Sequence, residues 1–187
     1  MKSNNLLFFK SFMSSPKNVG SIIPSSRFLA NKMVDQISWT DTTAVAELGA
    51  GTGPITQYIY QRANEKTKVL LFEMNPTMRD KLSKKFPDFT CHPDASTLVD
   101  SMKAEGLQHL DCVFSGLPFF NFERTLRDTL IDQIYQALKP EGLFIAFQYS
   151  LQMKKQLSDN FIIEKIEFVP LNIPPAFVYI CRKKRNN

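Results

Sequence analysis

The chain has 187 residues, enough for one domain with a real core, and its 43% hydrophobic and 22% charged residues are ordinary for a globular protein. A formal net charge of +5 and a pI of about 9.1 point to an anionic partner, either nucleic acid or a lipid surface. Cys91, Cys112 and Cys181 lie far apart with no CxxC pair, which leaves neither a disulfide framework nor a metal site to expect, and no apolar run is long enough to span a bilayer.

The first stretch, "MKSNNLLFFKSFMSSP", reads as an amphipathic helix. Leu6, Phe8, Phe9, Phe12 and Met13 fill a helical arc of about 160°, with Lys10 and Ser11 opposite, Asn5 inside the arc and Leu7 outside it. Apolar aromatics beside a lysine suit an interfacial helix on anionic lipid, and they equally suit a helix packed on its own domain. Lys10 interrupts the apolar run and no small-residue cleavage site follows, so no signal peptide is expected. The chain is expected in the cytoplasm, with a peripheral place on the inner face of the membrane if the helix binds lipid. Ser25 or Ser26 is a fitting N-cap for a second helix over about 27–38. Residues 1–39 thus form an N-terminal helical segment, and residues 40–187 the domain proper.

From there strands and helices alternate. "AVAEL" (44–48) is a short apolar strand, followed by the turn "GAGTGP" and the helix "ITQYIYQRA". "KVLLFE" (68–73) is a second buried strand, and Pro76 opens a helix over 76–86, where a missing N–H costs nothing. "FTCH" (89–92) is a weak third strand before a helix near 97–105 that stops at Gly106. "LDCVFSG" (110–116) is the fourth strand. Leu126, Leu130, Ile134 and Leu138 recur at helical spacing in the next helix, which Pro140 and Gly142 end. "LFIAFQY" (143–149) is the fifth strand, and 161–169 and 176–182 are two final strands joined by "LNIPP". Alternating strands and helices predict a single Rossmann-like α/β domain. Its seven-stranded sheet is mostly parallel with an antiparallel last strand, since the closing loop is too short for a crossover helix, and helices cover both faces.

The motif that carries chemistry is "ELGAGTGP", Glu47 to Pro54, between the first strand and the first helix. Glycines there let the backbone turn tightly and approach a ligand closely. A Walker loop would need Gly-Lys-Ser/Thr, and a dinucleotide fingerprint would need Gly where Pro54 stands. An acid two residues before G-x-G-x-G instead attracts a cationic ligand. Glu73, 22 residues after Gly51, ends the second strand and can take both ribose hydroxyls. Asp94, in "HPDAS" after the third strand, can accept an adenine amino group. A cationic amino-acid end, a ribose and an adenine together describe S-adenosylmethionine.

Over residues 40–187 the chain resembles the class I S-adenosylmethionine-dependent methyltransferases. "VAELGAGTGPIT" matches their first motif, "LFEMNP" their second-strand acid, "HPDAS" the third, and "LKPEGLFIAF" the entry to the fifth strand. A narrower resemblance, to bacterial phospholipid N-methyltransferases, rests on "FFKSFMSSPKNVGSIIPSSRFLANKM", "SGLPF" and "NIPPAFVY". It implies methylation of the amine of phosphatidylethanolamine and an N-terminal segment folded over the cofactor. The cofactor set it implies is Glu47, Gly49, Ala50, Gly51, Gly53, Glu73, Met74, Asp94, Ala95, Ser115 and Leu117. Ser115, Phe119 and Tyr149 are the residues it points to on the acceptor side.

The rRNA adenine dimethyltransferases share the general plan, and the "SGLPF" loop separates the two readings. Adenine enzymes resemble one another in holding the exocyclic amine with an Asn or Asp side chain and a backbone carbonyl. Pro118 and Phe119 fit that loop, but Gly116 stands where the Asn or Asp would be, which disfavours RNA. An alkylamine is the better expectation. Its pKa of about 10 leaves roughly one molecule in a thousand unprotonated at pH 7, and a small apolar loop can desolvate it. A soluble amine, or a protein that binds S-adenosylmethionine without turnover, remains open on the residues alone. The basic tail from Arg182 to Arg185 would add attraction to an anionic surface, and no protein partner is evident.

Overall fold

A computed structural model describes residues 25–184. The expected N-terminal helix over Leu6–Met13 and the tail residue Arg185 lie outside the described residues. Seven strands form one sheet in the order β3-β2-β1-β4-β5-β7-β6. They are β1 (Ala44–Leu48), β2 (Lys68–Phe72), β3 (Thr90–His92), β4 (Leu110–Ser115), β5 (Leu138–Gln148), β6 (Phe161–Val169) and β7 (Ala176–Lys183). The pairs among β1 to β5 are parallel, while β7 runs antiparallel to both β5 and β6. The described helices are α1 (Arg27–Val34), α2 (Thr56–Arg62), α3 (Pro76–Lys85), α4 (Leu98–Ala104), α5 (Arg124–Ala137) and α6 (Lys154–Asn160).

The two faces of the sheet bury separate clusters, as a strand period of two requires. Ala44, Ala46 and Leu48 join Phe72, Phe144 and the buried sides of α4, α5 and α6. Val45, Leu71, Phe114 and Ile145 join α1, α2 and α3 on the other face. All five residues of β1 are buried, which is why the strand reads as a continuous apolar run except for Glu47.

Two boundaries and one helix differ from the sequence reading. Helix α1 ends at Val34 rather than near 38, because the indole of Trp39 folds back and donates from Nε1 to the Val34 carbonyl at 2.8 Å. Strand β5 begins at Leu138, which already pairs with Leu110, and Glu141 takes a φ of 61° where the register shifts. Helix α6 was not foreseen. Its sequence, "KKQLSDN", buries only Leu157, so it carries almost no apolar periodicity. Within the expected N-terminal segment, Leu29, Ala30, Met33 and Val34 are wholly buried and belong to the core of the sheet.

Candidate functional site: the cleft at the C-terminal ends of β1, β2 and β4

Strand β1 has β2 on one side and β4 on the other, so chain connections leave its C-terminal end in opposite directions. Open α/β sheets bind ligands at such a switch point. A cleft of about 410 Å³ opens there. Its wall includes Gly49, Glu73, Met74, Asp94, Ala95 and Leu117, six of the cofactor residues expected from sequence. Glu47, Ala50, Gly51, Gly53 and Ser115 stand outside that wall, in or beneath the glycine turn and the start of the β4 loop.

Glu73 ties the turn to the cleft. Its Oε2 accepts from the Gly51 N–H and its Oε1 from the Asn75 N–H, both at 2.8 Å. Each carboxylate oxygen keeps a further lone pair, so a pair of ribose hydroxyls can still donate to it. Arg79, which sequence reasoning missed, locks the same corner by donating to the carbonyls of Glu73 and Met74. Asp94 is exposed and uses one oxygen to cap the turn at Ser96 N, 2.8 Å away, leaving the other for a donor in the cleft. Phe122, Leu126 and Leu130 complete the apolar wall. The spacing of Leu126 and Leu130 was legible as a buried helix face, but not that its first turn borders a cleft.

The glycine turn has the conformation its sequence implies. Gly51 has a φ of +58°, and a Cβ built on it would meet nothing within 4 Å. A left-handed residue facing open space beside the cleft acid is a cradle that a side chain would fill. Beneath the turn, Glu47 is buried and accepts from the Thr56 hydroxyl at 2.6 Å. Burial pushes its carboxyl up to about 8; the Thr56 hydrogen bond opposes the rise and the nearby charge of Glu73 adds to it. The residues present therefore fit a ligand with a sugar, a flat apolar ring and a positive end.

The β4 loop is arranged differently from its expected role. Ser115 is wholly buried, and its Oγ accepts from Leu117 N at 3.2 Å. Phe119 is 1% exposed and packs edge-on to Phe122 and Phe144, so its ring anchors the loop in the core. Phe120, its neighbour, is 50% exposed. Gly116 is required by close approach. A Cβ there would lie 3.3 Å from the Gly49 carbonyl and 3.3 Å from Phe147 Cε1. Gln148, also missed from sequence, is buried and donates from Nε2 to the Leu117 carbonyl at 2.8 Å. Tyr149 lies just past β5 with its ring edge-on to Phe147. Burial raises its pKa while a hydrogen bond with Asn172 opposes this, so the group is a neutral phenol at pH 7. Among the described residues no group of His, Cys, Asp and Glu is placed to hold a metal ion.

The family model of a methyltransferase domain matches residues 45–142. An ornithine lipid N-methyltransferase of Singulisphaera acidiphila is 32% identical to the chain over 94% of both proteins. The chain belongs to the S-adenosylmethionine-dependent methyltransferases. A ribosomal RNA small subunit methyltransferase A of Streptococcus pneumoniae is more distant, at 25% identity over 89% of this chain and 65% of its own length. Among solved structures, a Burkholderia thailandensis 1,6-didemethyltoxoflavin N1-methyltransferase with bound S-adenosylhomocysteine superimposes with a TM-score of 0.73. It is 15% identical and covers 96% of this chain and 88% of its own. The N-methyltransferase NodS of Bradyrhizobium japonicum, in complex with S-adenosylhomocysteine, gives 0.72 at 10% identity over 95% and 99%. The methyl donor of this methyltransferase is S-adenosylmethionine, and the cleft described above has the residues to hold it.

Proposed function

We propose that this methyltransferase methylates the primary amine of a phospholipid head group such as phosphatidylethanolamine. The observation that carries the proposal is the β4 loop. Gly116 offers no side-chain acceptor, and the Leu117 carbonyl is already engaged by Gln148 Nε2. A flat exocyclic amine needs two acceptors to hold its two hydrogens, and this loop offers it no side-chain acceptor and only the remaining lone pair of the Leu117 carbonyl. The 32% identity to an ornithine lipid N-methyltransferase, a protein named for a nitrogen on a lipid, supports the same direction.

When bound, S-adenosylmethionine supplies an electrophilic methyl carried on a sulfonium. The chain's own residues position and desolvate. Glu73 would hold the ribose hydroxyls of the donor and Asp94 its adenine amino group, with Met74, Ala95 and Leu117 against the flat apolar ring. Ser115 fixes the first turn of the β4 loop and Phe119 anchors it from beneath, so both act on the acceptor by placing the loop. Phe120 and Tyr149, exposed past the ends of the adjacent strands β4 and β5, offer aromatic faces to an ammonium. An amine of pKa about 10 starts with a deficit of about 4 kcal/mol at pH 7, and an apolar rim recovers part of it by disfavouring the charged form. The neutral phenol of Tyr149 can accept a hydrogen bond from that amine, but it is no store for its proton.

The test is incubation with methyl-labelled donor and, in separate arms, phosphatidylethanolamine vesicles, ornithine lipid vesicles, soluble ethanolamine and total RNA. Label in phosphatidylethanolamine is expected. Label confined to RNA or to ethanolamine would overturn the proposal, and label confined to ornithine lipid would replace the head group.

A further inference from the structure

A second surface lies on the same edge of the sheet, beyond the methyl-transfer cleft. Gln148 at the end of β5 pairs with Phe177 near the start of β7, and Val169 at the end of β6 pairs with Ala176. The loop after β5 and the loop joining β6 to β7 therefore emerge side by side. They carry Tyr149 at 54% exposure, Leu151 at 47%, Leu171 at 60% and Ile173 at 65%. Single exposed apolar residues are ordinary, but a cluster on adjoining loops marks an interaction surface.

The β6–β7 loop is braced from beneath. Asn172 is 2% exposed, its Oδ1 accepts from Ser26 N at 2.9 Å, and its Nδ2 donates to the Pro174 carbonyl at 2.8 Å. Tyr179 holds the neighbouring loop through its hydroxyl, 3.1 Å from the Ser150 carbonyl. With Asn172 pinned inward, Leu171 and Ile173 on either side of it are presented to solvent by a fixed backbone. Cations ring them. Lys154 and Lys155 begin α6 directly after the first loop, and Arg27 begins α1 one residue past Ser26. None of the three has a carboxylate partner among the described residues. The acid nearest the end of β6, Glu167, is already held by Lys32 at 2.6 Å and by Lys165. Apolar tips flanked by cations that have no carboxylate partner among the described residues, with the local acid neutralised, complement a surface that is negative outside and apolar within.

We propose that these two loops dock the enzyme on an anionic phospholipid bilayer, with Leu171 and Ile173 entering the interface and Lys154, Lys155 and Arg27 on the head groups. This rests on the lipid reading of the acceptor. Docking on this edge turns the open ends of β4 and β5, where the acceptor loop lies, toward the membrane.

The experiment uses the full chain, its Leu171→Ser/Ile173→Ser variant and its Lys154→Gln/Lys155→Gln variant. Each is sedimented with vesicles of phosphatidylglycerol and phosphatidylethanolamine. Each is also assayed on the same vesicles and on short-chain phosphatidylethanolamine dissolved as monomers. The parent is expected to sediment and to release as salt is raised. The Leu171/Ile173 variant is expected to lose sedimentation and roughly tenfold or more of its turnover on vesicles. It should keep turnover on the dissolved lipid within about twofold and melt near the parent temperature. The lysine variant is expected to release at lower salt. Equal sedimentation and vesicle turnover in parent and Leu171/Ile173 variant would overturn the docking surface. So would a markedly lower melting temperature of that variant, which would mean that another part of the chain covers these residues. A parent that methylates neither lipid form would overturn the lipid acceptor instead, while sedimentation would still report on docking.

Discussion

Glu47→Gln tests whether the buried acid beneath the glycine turn responds to the positive end of the methyl donor. Burial, the dominant influence, holds the Glu47 carboxyl at about 8 against a usual 4.5. At 1.36 kcal/mol per pH unit, ionising it in the fold costs on the order of 5 kcal/mol more than in water. At pH 7 such a carboxyl is roughly nine-tenths protonated. The amino-acid end of S-adenosylmethionine carries an ammonium, and a cation brought beside Glu47 favours the carboxylate and draws its pKa down. Binding at pH 7 should then release up to roughly 0.9 proton, and affinity should climb with pH toward 8 and level off above it. The fold alone should show the opposite slope. Its folded-state pKa lies above the unfolded value, so the contribution of Glu47 to stability is fully present below 4.5 and is lost as pH rises through about 8. Titration calorimetry in buffers of different ionisation enthalpy reads the proton count, and urea unfolding across the same pH range, without donor, reads the stability. Glutamine keeps the size of the side chain and an acceptor for the Thr56 hydroxyl, so the variant should fold and lose both pH dependences. A parent whose affinity depends on neither pH nor buffer would refute the pairing of Glu47 with the cation.

Gly51→Ala faces open space at a φ of +58°, so it should cost the fold only about 1–2 kcal/mol of backbone strain while weakening donor binding by about 1–3 kcal/mol. Calorimetry showing unchanged affinity would remove the turn from the donor site. Glu73→Ala should weaken binding by about 1.5–3 kcal/mol, the scale of a hydrogen bond to a charged group. Phe119→Ala should lower stability by about 3–5 kcal/mol because its ring is buried, whereas Phe120→Ala should leave stability within about 0.5 kcal/mol and slow methyl transfer. A Phe120→Ala enzyme with parental turnover on lipid would take that ring out of the acceptor site. Gly116→Asn should destabilise by about 1–3 kcal/mol, since its Cβ crowds Gly49 and Phe147, and should produce no RNA methylation. In the N-terminal stretch, Phe8→Ser with Phe12→Ser should weaken co-sedimentation with anionic vesicles, leaving the share carried by the β6–β7 loop, while donor affinity stays intact; a variant that unfolds would show that the two rings serve the fold.

By itself the amino-acid order determined what depends on neighbours in the chain. Short continuous apolar runs marked β1, β2 and β4, which are buried on both faces, and a helical spacing of buried residues marked α5. The turn from Glu47 to Pro54 and the acids Glu73 and Asp94 were legible because each lies at or just past the end of a strand that the sequence marks. Helix α6 was not, since one buried leucine in seven residues leaves no pattern. Tertiary structure alone decided the acceptor side. Phe119 and Phe120 are adjacent and identical in type, and only the packing of Phe122 and Phe144 decides which one turns inward. The constraint on Gly116 comes from Gly49 and Phe147, in two other segments of the chain. The brace of the β6–β7 loop spans 146 residues from Ser26 to Asn172. Contacts between distant segments depend on where the sheet places each strand end, which no local spacing encodes.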